Sequence, residues 1–221
     1  MSPLIVATSN PGKLREFRSL LAGLPFEVHS LGEWGLASPE ETGTSFAENA
    51  LLKARHAAAA ASAAGFGGDR TPDVAALADD SGLEVDALGG APGIYSARYA
   101  GAGADDAANN AKLLAALAGI GGERRAARYR CALAFVSGAS DAAPLVAEAV
   151  WEGIIVDTPQ GSGGFGYDPY FWLPELGKTA AQLDSTHKNL ISHRGRALRA
   201  LRDQLLAREQ SSGRLAQGVL S

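Results

Sequence analysis

The chain has 221 residues, of which 46% are hydrophobic and 20% charged, a balance that suits a folded globular protein and excludes a disordered one. Its formal net charge of −4 provides no overall basic field for duplex nucleic acid, although a local basic pocket for a small polyanion is compatible with it. The single cysteine, Cys131, excludes an internal disulfide and a cysteine-rich zinc site and fits a reducing compartment. The opening residues carry neither the basic stretch nor the long apolar run of a signal peptide. The alanine-rich stretch 57–64 is too short to span a membrane. A soluble cytoplasmic protein is expected, with one domain over residues 1–208 and a flexible tail over 209–221.

Residues 4–7, Leu-Ile-Val-Ala, read as a first buried strand that runs into Thr8-Ser9-Asn10-Pro11-Gly12-Lys13. Asn-Pro-Gly is strong turn chemistry. Beyond it Leu14, Phe17, Leu20, Leu21 and Leu24 repeat at helical spacing, so a helix is predicted from near Lys13. A strand, a tight turn and a helix start form a natural anion site, because free N–H groups and the positive end of the helix dipole converge there. A weaker strand is predicted over 27–31, followed by the polar, turn-like Glu40-Glu41-Thr42-Gly43-Thr44. Ser45-Phe46-Ala47-Glu48 matches a capping box and opens a helix to about residue 64. Asn49 and Lys53 lie four apart and share one face of that helix.

Val74-Ala75-Ala76-Leu77-Ala78 then reads as a buried strand ending in Asp79-Asp80-Ser81-Gly82, a sequence suited to a turn. Strand alternation points the two carboxylates opposite ways, so that one can face a cleft while the other braces the turn. Carboxylates in such a position suit Mg2+ beside a phosphate, since that hard cation prefers oxygen ligands; the same residues also suit a plain solvated turn. Residues 82–103, rich in glycine, are expected to form a long loop with a short hairpin. Asp105 or Asp106 caps a predicted helix to about residue 118. The β-prone runs 127–136 and 145–156 predict a hairpin, and a last helix is predicted over 185–208.

Two short motifs mislead. Gly161-Ser162-Gly163-Gly164-Phe165-Gly166 satisfies G-x-G-x-x-G, but Asp168-Pro169 follows at once, so no helix can open at the third glycine as a dinucleotide site requires. Gly177-Lys178-Thr179 resembles the end of a P-loop, yet Trp172 stands five positions before Gly177 where that loop needs glycine.

The remaining polar residues offer complementary chemistry. Thr8–Lys13 and Lys53 supply donors and positive charge for phosphates; Glu40, Glu41, Asp79 and Asp80 supply oxygens for a metal. Phe165, Tyr167 and Trp172 offer planes for a base, and Lys188, His193 and Arg194 add a basic patch. Each group also has a plain reading, as a solvated helix residue, a surface pair or core.

In order along the chain, Val6-Ala7-Thr8-Ser9-Asn10-Pro11-Gly12-Lys13, Ser45-Phe46-Ala47-Glu48-Asn49-Ala50, Ala78-Asp79-Asp80-Ser81-Gly82-Leu83, Gly90-Ala91-Pro92-Gly93-Ile94-Tyr95-Ser96-Ala97-Arg98, Gly164-Phe165-Gly166-Tyr167-Asp168-Pro169 and Ile191-Ser192-His193-Arg194 resemble the blocks of the Ham1-like inosine/xanthosine triphosphate pyrophosphatases. The resemblance spans about residues 4–207, with Ser9 where many members have glycine. It implies an α/β fold, a long mixed twisted sheet flanked by helices in two lobes with a nucleotide cleft between them. It also implies a homodimer and Mg2+-dependent release of pyrophosphate from dITP, ITP or XTP.

Carried over residue by residue, Asp80 would be the catalytic acid/base and a metal ligand, with Glu40 the favoured second ligand and Glu41 the alternative. Thr8, Ser9, Asn10, Pro11, Gly12, Lys13 and Lys53 would hold the triphosphate with Ser81 beside it. Phe165, Gly166, Tyr167, Asp168, Lys188, His193 and Arg194 would frame base and sugar. Two other readings stay open: a Maf-like nucleotide pyrophosphatase, for which a Ser-Pro-Arg-Arg-like opening is expected instead, and a non-catalytic nucleotide sensor.

Overall fold

The computed structural model describes residues 2–8, 10–66 and 73–211. In chain order the principal elements are β1 (Ser2–Ala7), α1 (Pro11–Leu20), β2 (Phe26–Ser30), α2 (Phe46–Ala63), β3 (Ala75–Val85) and α3 (Asp106–Ala116). They are followed by β4 (Ala126–Val136), β5 (Leu145–Ile155), β6 (Phe171–Leu173), β7 (Lys178–Thr179), α4 (Ser185–Ile191) and α5 (His193–Ser211). The seven strands form one sheet in the order β2-β1-β3-β4-β5-β6-β7. β1 pairs in parallel with β2 and β3, and the other pairings are antiparallel, so the sheet is mixed as expected. No described helix is long and apolar enough to cross a membrane.

Strand alternation sorts the core into layers. On one face, Ala76, Ala78, Ala132 and Ala134 meet Ala50, Ala54, Ala57, Ala58 and Ala61 of α2, small side chains on both sides of the contact. On the other face, Leu77, Leu133 and Phe135 meet Phe17 of α1, Leu21 at its C-cap, and Ala197, Leu198 and Leu201 of α5. A third cluster gathers Leu83, Val85, Tyr129, Trp151 and Phe171 with Leu113 of α3 and Leu117 at its C-cap. Helix α2 begins as its sequence demands. Ser45 Oγ accepts the Glu48 N–H at 3.2 Å, while the Glu48 carboxylate reaches back to Thr44, accepting from its N–H and hydroxyl at 2.8 Å each.

Three expectations fail in instructive ways. The doublet does not lie in a turn: β3 continues through Asp79-Asp80-Ser81-Gly82 to Val85. Its ladder with β4 is unbroken from Ala76–Val136 to Val85–Ala127, and that long-range pairing overrides the turn preference of the local sequence. The parallel pairing with β1 stops at Ala7–Ala78, so the carboxylates stand just beyond the end of one neighbouring strand. Gly82 is needed here, because a Cβ would overlap Gly93 O and Ser96 Oγ and come within 2.9 Å of the Phe46 ring.

The hairpin expected in 82–103 reduces to a single bridge, Glu84–Pro92, followed by a 3-10 turn over Gly93–Arg98. The last helix is two helices. Ser192 adopts extended dihedrals (φ −69°, ψ 162°) and caps α5 by accepting the Gly195 N–H at 3.3 Å. The break turns His193 and Arg194 into the protein, where they are 4% and 2% exposed; the surface-pair reading is therefore wrong.

Candidate active site

The turn after β1 is organised by its own side chains. Asn10 caps α1, its Oδ1 accepting the N–H groups of Gly12 at 2.8 Å and Lys13 at 3.2 Å. The Thr8 hydroxyl accepts the Asn10 N–H at 3.1 Å. Two of the N–H groups expected to meet an anion are thus already satisfied, which shifts the attraction for phosphate onto Lys13. The helix starts at Pro11, whose missing N–H costs nothing at that position. Ser9 lies outside the described residues.

The two aspartates face opposite sides of the sheet, as alternation requires, and their environments drive them apart. Asp79 accepts from Lys13 Nζ, from Ser81 Oγ, and from Arg194 Nε at 3.2 Å, with Cys131 Sγ at 3.5 Å. Burial alone would raise the Asp79 carboxyl, but Lys13, Arg194 and Lys53 outweigh it and hold it well below the ordinary range. Arg194 is held in turn by Glu16 on α1. Asp79 therefore acts as a buried anchor for two cations.

Asp80, on the α2 face, accepts from Lys53 Nζ at 2.9 Å and Asn49 Nδ2 at 3.2 Å. Burial pushes its carboxyl upward, and the charges of Glu41 and Asp79 add to the push against the pull of Lys53. Lys53 is itself buried and bridges Asp80 to Glu41, also 2.9 Å away, so the solvated reading of Lys53 fails. Burial opposes ionisation of Glu41, but Lys53 and Arg98 lower its carboxyl overall; Arg98 NH1 lies 2.8 Å from it. Glu40, next in sequence, is exposed. The carboxylate that reaches Lys53 is that of Glu41.

Across the sheet, on the Asp79 side, lies a cavity of roughly 300 Å³ lined among others by Lys13, Ser81, Phe165, Tyr167, His193 and Arg194. Phe165 closes against the first turn of α1, where a Cβ on Gly12 would come within 3.1 Å of its ring. The cations of Lys188 and Arg194 lie 5.0 and 5.6 Å from the centre of that ring. Tyr167 donates its hydroxyl proton to Ser96 O at 2.7 Å, joining two walls. Asp168, only 2% exposed, accepts from Phe165 N (2.9 Å), Tyr129 OH (3.2 Å) and Lys188 Nζ (2.6 Å), so it shapes the pocket rather than presenting a free carboxylate. His193 stacks on Tyr129 with centroids 4.7 Å apart and planes 10° from parallel. Burial and the neighbouring Arg194 push its imidazole well below the usual range, so it is neutral and offers one donor and one acceptor. Its Nδ1 is buried with no partner in the protein. Trp172, by contrast, lies on β6 and pairs with Thr179 of β7, outside the cavity lining.

Sequence reasoning passed over Glu16 and Tyr129. Glu16 had a signal: it follows Lys13 by three positions, on the same face of α1. Tyr129 had none, since its inward direction depends on register with β3.

Among the described residues, no cluster of three or more His, Cys, Asp or Glu side chains forms a ready metal cage. The pair Asp80 and Glu41 nevertheless suits Mg2+, which typically binds through one or two carboxylates and completes its shell with water and substrate phosphates.

A profile of the Ham1 family matches residues 4–204. The chain is 51% identical over 205 residues to a dITP/XTP pyrophosphatase of Yersinia pseudotuberculosis, covering 93% of this chain and 98% of that one. It is 52% identical over 205 residues to a dITP/XTP pyrophosphatase of Xylella fastidiosa, with the same coverage. Among solved structures, a HAM1 protein from Coxiella burnetii superposes with a TM-score of 0.80 at 43% identity, covering 94% of this chain and 100% of that one. The Staphylococcus aureus Ham1 protein gives 0.78 at 38% identity with the same coverage. The motifs, the mixed sheet and the cleft residues they bring together agree with these matches, and the chain belongs to the Ham1 family.

Proposed function

We propose that this protein is a Mg2+-dependent hydrolase of deaminated-purine nucleoside triphosphates, dITP, ITP and XTP, releasing nucleoside monophosphate and pyrophosphate. The observation that carries the reading is the division of labour across β3. A buried carboxylate, Asp80, sits with Lys53 and Glu41 on one face, while Asp79 holds Lys13 and Arg194 beside a cavity on the other. The names of the Yersinia and Xylella relatives support the substrate class. Membership of the Ham1 family is the ground on which a cytoplasmic homodimer is proposed.

In this mechanism Asp80 takes the proton of the water that attacks the α phosphorus. The bond from that phosphorus to the bridging oxygen breaks, and pyrophosphate leaves with the electron pair. Lys13 and Lys53 offset the charge that grows on the leaving group. Asp80 and Glu41 would hold Mg2+, which when bound supplies further charge neutralisation at the phosphates. Hypoxanthine and xanthine present a 6-oxo acceptor and an N1–H donor, where adenine presents the reverse. The neutral His193 and the cationic Arg194 suit the former, and leaving adenine's groups unpaired can reject it by about 10⁴–10⁵.

Hydrolysis of dITP in heavy-oxygen water is expected to place the label in the nucleoside monophosphate. Label in the pyrophosphate would mean attack at the β phosphorus and would refute the mechanism. Glu41→Gln is expected to raise the Mg2+ concentration for half-maximal turnover by about tenfold, the effect of losing a charged ligand from an oxygen site, and Glu40→Gln to leave it within about twofold. The reverse ranking, read from Mg2+ titrations, would return the ligand role to Glu40.

A further inference from the structure

Helix α3 carries two adjacent asparagines, Asn109 and Asn110, both buried. Asparagine is a poor residue for a helix interior, because its side chain competes for backbone hydrogen bonds. Two side by side need a tertiary reason, and their partners lie in the cavity walls. Asn109 Oδ1 accepts the Ala100 N–H at 2.8 Å and its Nδ2 donates to Ala97 O at 3.2 Å, fixing the wall that follows the 3-10 turn. Asn110 Nδ2 donates to Gly166 O at 2.9 Å and to Asp106 O at 2.8 Å. Asp106, one turn earlier, accepts the Gly166 N–H at 2.6 Å. Helix capping is left to Asp105, whose Oδ1 accepts the Ala108 N–H at 2.8 Å, so the Asp106 carboxylate is free for this contact.

Both polar groups of Gly166 are therefore held by one helix. Gly166 has φ +65°, a conformation open to glycine, and it separates Phe165 from Tyr167, both in the cavity lining. Asp168 holds Phe165 from the other side. We infer that Asp106 and Asn110 are positioning residues for base recognition: α3 clamps the Gly166 peptide groups and thereby fixes the wall against which the purine is read. The inference rests on the function proposed above. It sets base reading apart from chemistry, because the hydrogen bonds of the clamp run to Gly166, Ala97 and Ala100, whereas those of Asp80 run to Lys53 and Asn49.

Asp106 is exposed, so Asp106→Ala tests the clamp without excavating the core. The KM for dITP is expected to rise by about tenfold, the effect of losing one hydrogen bond to a charged group, and the preference for dITP over dATP to fall with it. The kcat for dITP is expected to stay within about twofold, the signature of lost binding rather than lost chemistry. Asp106→Asn keeps an acceptor oxygen and should restore most of the affinity, while Asn110→Asp, which removes the donor, should repeat the loss. Calorimetric binding of inosine monophosphate reads the clamp without turnover and should weaken with the KM. If affinity falls in the variants while the wild type shows no preference for dITP, the clamp stands and the proposed function fails. Unchanged KM, preference and monophosphate affinity in both Asp106→Ala and Asn110→Asp would overturn the inference. So would a uniform loss of kcat on all triphosphates with monophosphate affinity intact.

Discussion

Asp80→Asn is expected to lower kcat for dITP by about 10²–10⁴-fold, the range that a positioned general base contributes, while nucleotide binding persists. The substitution keeps the shape of the side chain and an acceptor for Lys53, but removes the site that takes the proton. The environment of Asp80 makes a second readout available. Without metal, burial, reinforced by Glu41 and Asp79, raises its carboxyl. The wild-type kcat/KM should rise with pH as Asp80 loses its proton and level off once it is ionised. Asp80→Asn should lose this limb along with the rate. Turnover close to wild type at saturating Mg2+, or an unchanged acid limb in the variant, would refute the role.

Asp79→Ala is expected to act on stability instead, lowering it by about 3–5 kcal/mol, because it strands the buried Arg194 cation that Asp79 now neutralises. Arg194 is 2% exposed and would retain Glu16 alone, while Lys13 would lose its carboxylate partner. The pH dependence follows from the lowered carboxyl of the folded state. Its stabilising contribution is complete above the unfolded aspartate value of about 3.9 and is lost as pH falls from there toward the folded value. The gap in denaturation midpoint between wild type and Asp79→Ala should thus be widest near neutral pH and narrow in acid. A gap absent at neutral pH would show that Asp79 is no anchor. With the gap present, the two adjacent carboxylates differ in kind, one limiting the rate and the other the fold.

Much of the architecture is readable from local pattern. The first strand, the capped helix from Ser45 and the hairpin of β4 and β5 each follow from short-range periodicity and turn chemistry, and each is present, while the first helix opens at Pro11 inside the predicted turn and ends at Leu20, short of Leu24. What escaped depends on distant pairing. Nothing near Asp79 and Asp80 reveals that β4 will carry the strand through them, and only that pairing sets which carboxylate meets Lys13 and which meets Lys53. The break at Ser192 is written only weakly in a serine that also fits a helix surface, yet it turns His193 and Arg194 inward. Asp168 and Lys188 appear in the sequence as separate contributors to the pocket, but in the fold they form a buried pair 2.6 Å apart. The two asparagines of α3 were legible as a violation of helix preference, without a hint of their partner at Gly166.

The most direct test of the central claim is pyrophosphate release from dITP, XTP, dGTP and dATP, in Mg2+ and in EDTA, with pyrophosphate scored apart from orthophosphate. Metal-dependent pyrophosphate from dITP and XTP, with little from dGTP and dATP, is the expected result. Orthophosphate as the product, indifference to the base, or undiminished turnover in EDTA would contradict it.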